Sequence, residues 1–143
     1  MHFENEIEHK ILVTYVIAKV SGRLKQLADE VIQPFYRQQA QTAVSLLKRE
    51  LGAYPLKIHK PEGAIFLWLW FENLPVSSQT LYEMLKAEGT LIIPGEHFFV
   101  GIDRQDYPHA HECIRISIAQ DAETLEKGIA AIGRVVRGLY DKK

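Results

Sequence analysis

The chain has 143 residues, 47% of them hydrophobic and 24% charged, the balance of a globular domain and not of a disordered or low-complexity segment. Seventeen Lys and Arg against eighteen Asp and Glu leave a formal charge of −1, which offers no electrostatic hold on phosphate backbones or anionic lipid, so neither nucleic acid nor membrane is an expected partner. A chain this long buries roughly 68–70% of the surface its unfolded form exposes, and the single Cys113 cannot close an internal disulfide, which fits a reducing, cytoplasmic setting.

Glu4, Glu6 and Glu8 alternate at the start of the chain, so the positive n-region of a secretory signal is not expected there. The apolar stretch Ile11–Val20 is about half the length of a membrane span. Its β-branched residues suit a buried strand, and Ile11, Val13, Val16, Ile17 and Val20 equally suit a helical face. Residues 1–22 therefore stand as an N-terminal segment without an assigned element. From Arg23 to Leu51 the period is helical, through Leu24, Leu27, Val31 and Phe35 and then Ala40, Val44, Leu47 and Leu51. Pro34 predicts a kink or break near Ile32–Gln33, and Gly52 a left-handed stop.

Leu56–Lys60 and Ala64–Phe71 read as two strands of a hairpin across Pro61-Glu62-Gly63. The second is apolar at every position from Ile65 to Phe71, a pattern that predicts cover on both faces. Ser77 or Ser78 caps a predicted helix over Gln79–Glu88 that Gly89 ends, and Thr90–Ile93 reads as a short strand stopped by Pro94-Gly95. After an irregular stretch over 95–112, Cys113–Ala119 alternates, with Ile114, Ile116 and Ile118 on one face. Asp121 caps a last helix striped by Leu125, Ile129, Ile132, Val136 and Leu139. The expected fold is α+β: a long kinked N-terminal helix, and a small, mostly antiparallel sheet of three or four strands with helices packed on it.

Arg115 is the most informative single residue, because it sits mid-strand on the face opposite the three isoleucines. A guanidinium keeps its charge, so if buried it needs a partner matching its planar fork. An internal ion pair or an edge strand that lets it reach water meets that need, and so does bidentate capture of a substrate carboxylate. His109, His111 and Cys113 step by two and would share one face of a strand, a spacing open to a soft divalent metal or to loop histidines beside a buried thiol. Ser45-Leu46-Leu47-Lys48 matches S-x-x-K, but neither S-D-N nor K-T-G follows, and Lys48 is expected on the outer helix face. No glycine-rich phosphate loop is present.

The block His59-Lys60-Pro61-Glu62-Gly63-Ala64-Ile65-Phe66-Leu67-Trp68-Leu69-Trp70-Phe71 resembles one in the valine–pyruvate aminotransferase family, fold-type I class I/II enzymes that depend on pyridoxal phosphate. Two later blocks agree in order and spacing: Pro94-Gly95 with Phe98-Phe99 and Gly101, and His109-x-His111-x-Cys113-x-Arg115. The run Val31–Tyr36 also looks like that family's small-domain helix, and the likeness covers approximately residues 23–137. It implies that residues 23–143 are a C-terminal small domain that closes over an active site when an amino acid or 2-oxo acid binds. Arg115 then matches the position that pairs with the substrate α-carboxylate. Phe98 belongs to a turn near the substrate entrance, and Gly63 to a point where backbone approaches the pocket.

The same resemblance places the Schiff-base lysine, the acid facing the pyridine nitrogen and the phosphate-binding groups in a large domain, and nothing in residues 1–22 matches them. The expectation is a fragment of an aminotransferase that is inactive alone, holds no cofactor itself, and associates with itself or with a large domain. A stand-alone amino- or keto-acid-binding module using the same Arg115 is the alternative.

Overall fold

The computed structural model describes residues 2–62, 65–103 and 105–142, with side chains from Ile7 onward. Residues 1–37 and 38–143 form two compact units.

In the first unit the ambiguity over residues 11–20 resolves as helix: α1 spans His2–Val20. Gly22 at φ 73° then turns the chain in the left-handed region that glycine enters without strain. A short α2 (Arg23–Leu27) leads into a π-helical turn over Ala28–Ile32, and α3 (Gln33–Leu51) follows. The irregularity falls where Pro34 predicts it. In an unbroken α-helix the pyrrolidine ring would meet the carbonyl four residues back; here the Gln33 amide bonds Ala28, five residues back, and the widened turn makes room. Ile11, Leu12, Ile17, Val20, Val31 and Phe35 are all exposed.

The second unit is an α+β layer. Strands β1 (Leu56–Ile58), β2 (Phe66–Phe71), β3 (Ile93–Pro94) and β4 (Cys113–Ser117) form one antiparallel sheet in the order β1-β2-β4-β3. The two predicted strands pair antiparallel, with Leu56 opposite Phe71 and Ile58 opposite Leu69. Both are shorter than Leu56–Lys60 and Ala64–Phe71, and Gly63 and Ala64 between them lie outside the described residues. The third strand is shorter than Thr90–Ile93 and shifted onto Pro94, whose missing N–H suits the edge of a sheet. Helices α4 (Ser78–Ala87) and α5 (Ala122–Tyr140) start at the expected caps, Ser77 accepting from the Thr80 amide at 3.2 Å and Asp121 from the Thr124 amide at 2.9 Å.

The core forms where the apolar stripes converge: Ala43, Leu47 and Leu51 of α3, Leu81 and Leu85 of α4, and Leu125, Ile129, Ile132 and Val136 of α5 meet Leu67, Leu69, Phe71, Ile114 and Ile116 of the sheet. Each leucine, isoleucine, valine and phenylalanine among them contributes about 1.5–3 kcal/mol when fully buried.

Two expectations are corrected. β2 is not covered equally on both faces. Its burial alternates, with Leu67, Leu69 and Phe71 inward and Phe66, Trp68 and Trp70 only half-buried. Its continuous hydrophobicity comes from aromatic residues on the second face, not from a second core. Nor is Gly52 a left-handed cap, since the positive-φ glycines among the described residues are Gly22, Gly89 and Gly101. A Cβ at Gly52 would collide with the Lys48 carbonyl oxygen, so glycine is required there by close approach and not by handedness.

Candidate functional site

The side of the sheet away from the helices carries the candidate chemistry. Antiparallel register places Trp68 opposite Arg115 on one side, and Ile93 opposite it on the other. Arg115 therefore lies on an interior strand, and the edge-strand explanation fails. The ion-pair explanation fails as well among the described residues, where no carboxylate lies within 4.0 Å of its guanidinium and its buried Nε has no hydrogen-bond partner.

Aromatic rings take the place of an acid. The guanidinium carbon lies 4.0 Å from the centroid of Phe66 and 4.5 Å from that of Phe98, close enough for the ring faces to attract the cation. Phe98 in turn meets Trp68 edge-on at 5.4 Å. Beside the guanidinium opens a depression of about 420 Å³ bordered by His59, Lys60, Glu62, Phe66, Trp68 and Arg115.

The 95–112 segment reaches this face because its first residue is glycine. A Cβ at Gly95 would stand 2.6 Å from both the Cβ and the carbonyl oxygen of Cys113, so only a bare backbone can lie on β4 there. A 3-10 turn over Gly95–Phe98 then carries Phe98 back to Arg115. Glu96 anchors the turn through a 2.7 Å hydrogen bond with His111 Nδ1. At the far end of the face Glu112 accepts from the Trp70 indole at 2.8 Å and from the Asn73 amide at 2.9 Å, which fixes the plane of Trp70.

Of the two readings of His109, His111 and Cys113, the structure favours loop histidines beside a buried thiol. Pro108–His111 is a 3-10 turn and the strand starts at Cys113, so the three side chains do not share the period-two face that the metal reading required. His111 turns to Glu96, while His109 packs edge-on against Trp70, Phe99 and Tyr107. Burial pushes the Cys113 thiol up to about 11, which keeps it protonated and a poor ligand near neutral pH. No group of three metal-ligating side chains occurs among the described residues.

Ser45 and Lys48 are both exposed on α3, apart from any site. Gly63 lies outside the described residues. Phe66, Trp68 and Glu112 emerge only from the fold. The signal for the first two was present as the period-two spacing of Phe66, Trp68 and Trp70, hidden by the equally apolar residues between them.

A larger cavity of about 640 Å³ lies between residues 88–92 and α5. Its charged groups are already paired, Lys127 with Glu123 and Arg134 with Glu88, so it offers a ligand no unmet charge.

The described residues do not fit a holder for pyridoxal phosphate. Every described lysine is exposed. Lys60, at the mouth of the depression, has 83% of its side chain in water and pairs with Glu62 at 3.5 Å, whereas a Schiff-base lysine is desolvated or set beside another cation.

Comparison with known proteins is consistent across sequence and structure. The family described as aminotransferase class I and II matches residues 12–132. The valine–pyruvate aminotransferase of Escherichia coli strain K12 is 42% identical over 113 residues, which are 79% of this chain and 27% of that protein. A crystal structure from Psychrobacter arcticum 273-4, assigned as an amino-acid aminotransferase, superposes with a TM-score of 0.86 at 63% identity, over 88% of this chain and 29% of that one. The valine–pyruvate aminotransferase of Salmonella typhimurium LT2 gives a TM-score of 0.77 at 39% identity, over 82% and 30%. The chain thus spans less than a third of the length of these relatives. No helix among the described residues is long and apolar enough to cross a membrane.

Proposed function

The chain belongs to the class I and II aminotransferase family, and on that premise we propose that it is the small-domain part of a valine–pyruvate-type transaminase. Its role there is to grip the α-carboxylate common to the amino acid and the 2-oxo acid between which the amino group moves. Arg115 is the gripping residue. Phe98 borders the approach, and Gly63 matches the family position at which backbone nears the pocket. The observation that carries the proposal is the state of Arg115: half-buried on an interior strand, unpaired with any described acid, and opening on a depression. Its buried Nε lacks an acceptor, which is unfavourable, and a bidentate carboxylate is the ligand whose geometry matches its fork.

One fixed guanidinium serves every α-amino acid alike, so selectivity between side chains falls to other walls. Pyridoxal phosphate supplies the electron sink of transamination. Because the described residues do not fit that cofactor, its lysine and phosphate anchors are assigned to the rest of the enzyme, and the isolated chain is expected to be inactive. The exposed apolar residues of α1 suit contact with that remainder or with a second copy.

The test is an NMR titration of this chain with pyruvate, observing the Arg115 Nε–Hε signal. With only one wall of the site present, the signal should shift saturably at about tens of millimolar, and sodium chloride at equal ionic strength should leave it in place. A signal indifferent to pyruvate, or equally sensitive to chloride, overturns the assignment. Submillimolar binding seen by calorimetry would instead identify a stand-alone binding module. Borohydride reduction after mixing with pyridoxal phosphate should leave the mass of the chain unchanged, and a stoichiometric adduct on one lysine refutes the absence of a cofactor site.

A further inference from the structure

Arg115 has a long, flexible side chain, yet its head is held without a single protein hydrogen bond to Nε. What lies against it is a pair of aromatic rings, Phe66 with its centroid 4.0 Å and Phe98 with its centroid 4.5 Å from the guanidinium carbon. All five guanidinium N–H groups lie in its plane. Attraction by ring faces restrains the head without supplying a carboxylate to occupy those donors. An acid performing the same restraint would consume the donors that a ligand needs. We propose that Phe66 and Phe98 are positioning residues that clamp the Arg115 guanidinium by ring contact and leave its N–H donors to a planar oxyanion. The clamp rests on the assignment of Arg115 given above, and deepens it by naming what holds the fork ready.

The two jaws are built differently. Phe66 is fixed by the β2–β4 register, opposite Ser117 and two residues before Trp68, so it is in place as soon as the sheet forms. Phe98 arrives on the Gly95–Phe98 turn, which depends on the bare backbone of Gly95 against Cys113 and on the Glu96–His111 hydrogen bond. It is 43% exposed and braced edge-on by Trp68. The second jaw can therefore be altered without opening the core.

Two NMR measurements on the full chain separate the clamp from the carboxylate assignment. In the first, without ligand, the order and rotation of the Arg115 guanidinium are compared in wild type, Phe98→Leu and Phe98→Tyr. Leucine keeps apolar bulk but has no ring face, whereas tyrosine keeps the face and lets its hydroxyl reach water. Rotation should quicken about threefold or more in Phe98→Leu and stay at the wild-type rate in Phe98→Tyr. Equal rates in wild type and Phe98→Leu, with the other amide signals unmoved, overturn the clamp.

In the second, the pyruvate titration is repeated. Its apparent Kd should weaken about threefold to tenfold in Phe98→Leu and recover in Phe98→Tyr. Unchanged affinity in Phe98→Leu overturns the positioning role. A guanidinium that loosens in Phe98→Leu yet ignores pyruvate in wild type leaves the clamp standing and removes the carboxylate assignment.

Discussion

Gly95 lies so close to Cys113 that a Cβ on it would sit 2.6 Å from the cysteine's Cβ and carbonyl oxygen. The contact joins the irregular 95–112 segment to the central strand and sets where the Phe98 ring falls. Gly95→Ala should therefore cost about 1–3 kcal/mol of stability, because backbone and strand must separate. It should also loosen the Arg115 guanidinium. Urea unfolding reads the first effect and NMR of the Arg115 side chain the second. A variant as stable as wild type would show that the loop yields freely.

Arg115→Met distinguishes a functional arginine from a structural one. Removing one partner of a buried internal ion pair costs about 3–5 kcal/mol. Arg115 has no described acid to orphan, and methionine retains apolar contact with the two phenylalanines. The unfolding free energy should change by no more than about 1 kcal/mol while the response to pyruvate disappears. A loss of several kcal/mol would point to a structural partner instead.

Glu50 provides a test by pH. A hydrogen bond from the Arg137 guanidinium, at 2.9 Å, holds its carboxyl below the usual range. The charged form is thus favoured in the folded state. Its contribution is complete above the unfolded value of about 4.3 and disappears as pH falls through the lower folded value. The pair is partly open to water, so the effect should be on the order of 1 kcal/mol or less. Urea midpoints for wild type and Glu50→Gln should differ near neutrality and converge in acid, and a constant difference would exclude this linkage.

Cys113 should resist thiol reagents near neutral pH. It is fully buried, and burial pushes its thiol up to about 11, so both the thiolate and a path to it are scarce. Reaction with a chromogenic disulfide should follow the opening of the fold and speed up in step with urea. Immediate labelling of the folded chain would contradict the burial.

Exposed Ile11, Leu12, Ile17 and Val20, the last with 85% of its surface in water, should make the free chain associate as its concentration rises. Sedimentation velocity should show this, and Ile17→Lys should weaken it. A chain that stays monomeric at every accessible concentration would rule out self-association.

Much of this protein is determined locally. The caps at Ser77 and Asp121, the pairing of β1 with β2, the disturbance ahead of Pro34 and the stripe of α5 each follow from neighbouring residues, because backbone geometry and helical or strand period act over a few positions. So does the family, since the His59–Phe71 block and the spacing up to Arg115 are statements about order along the chain. The residues also placed Arg115 on the face opposite the isoleucines.

Tertiary structure alone decided what that face contains. Only strand order makes β4 interior and sets Trp68 beside Arg115, and only the close contact of Gly95 with Cys113 returns Phe98 from a distant turn. At His109 and His111 the residues left two readings open, and a 3-10 turn ahead of the strand leaves them as loop histidines beside the buried Cys113. A side chain's partners across a sheet come from segments remote in sequence, so their identity is settled by packing. The amino acids decided that an arginine would stand here, and the fold decided that rings, rather than an acid, would hold it.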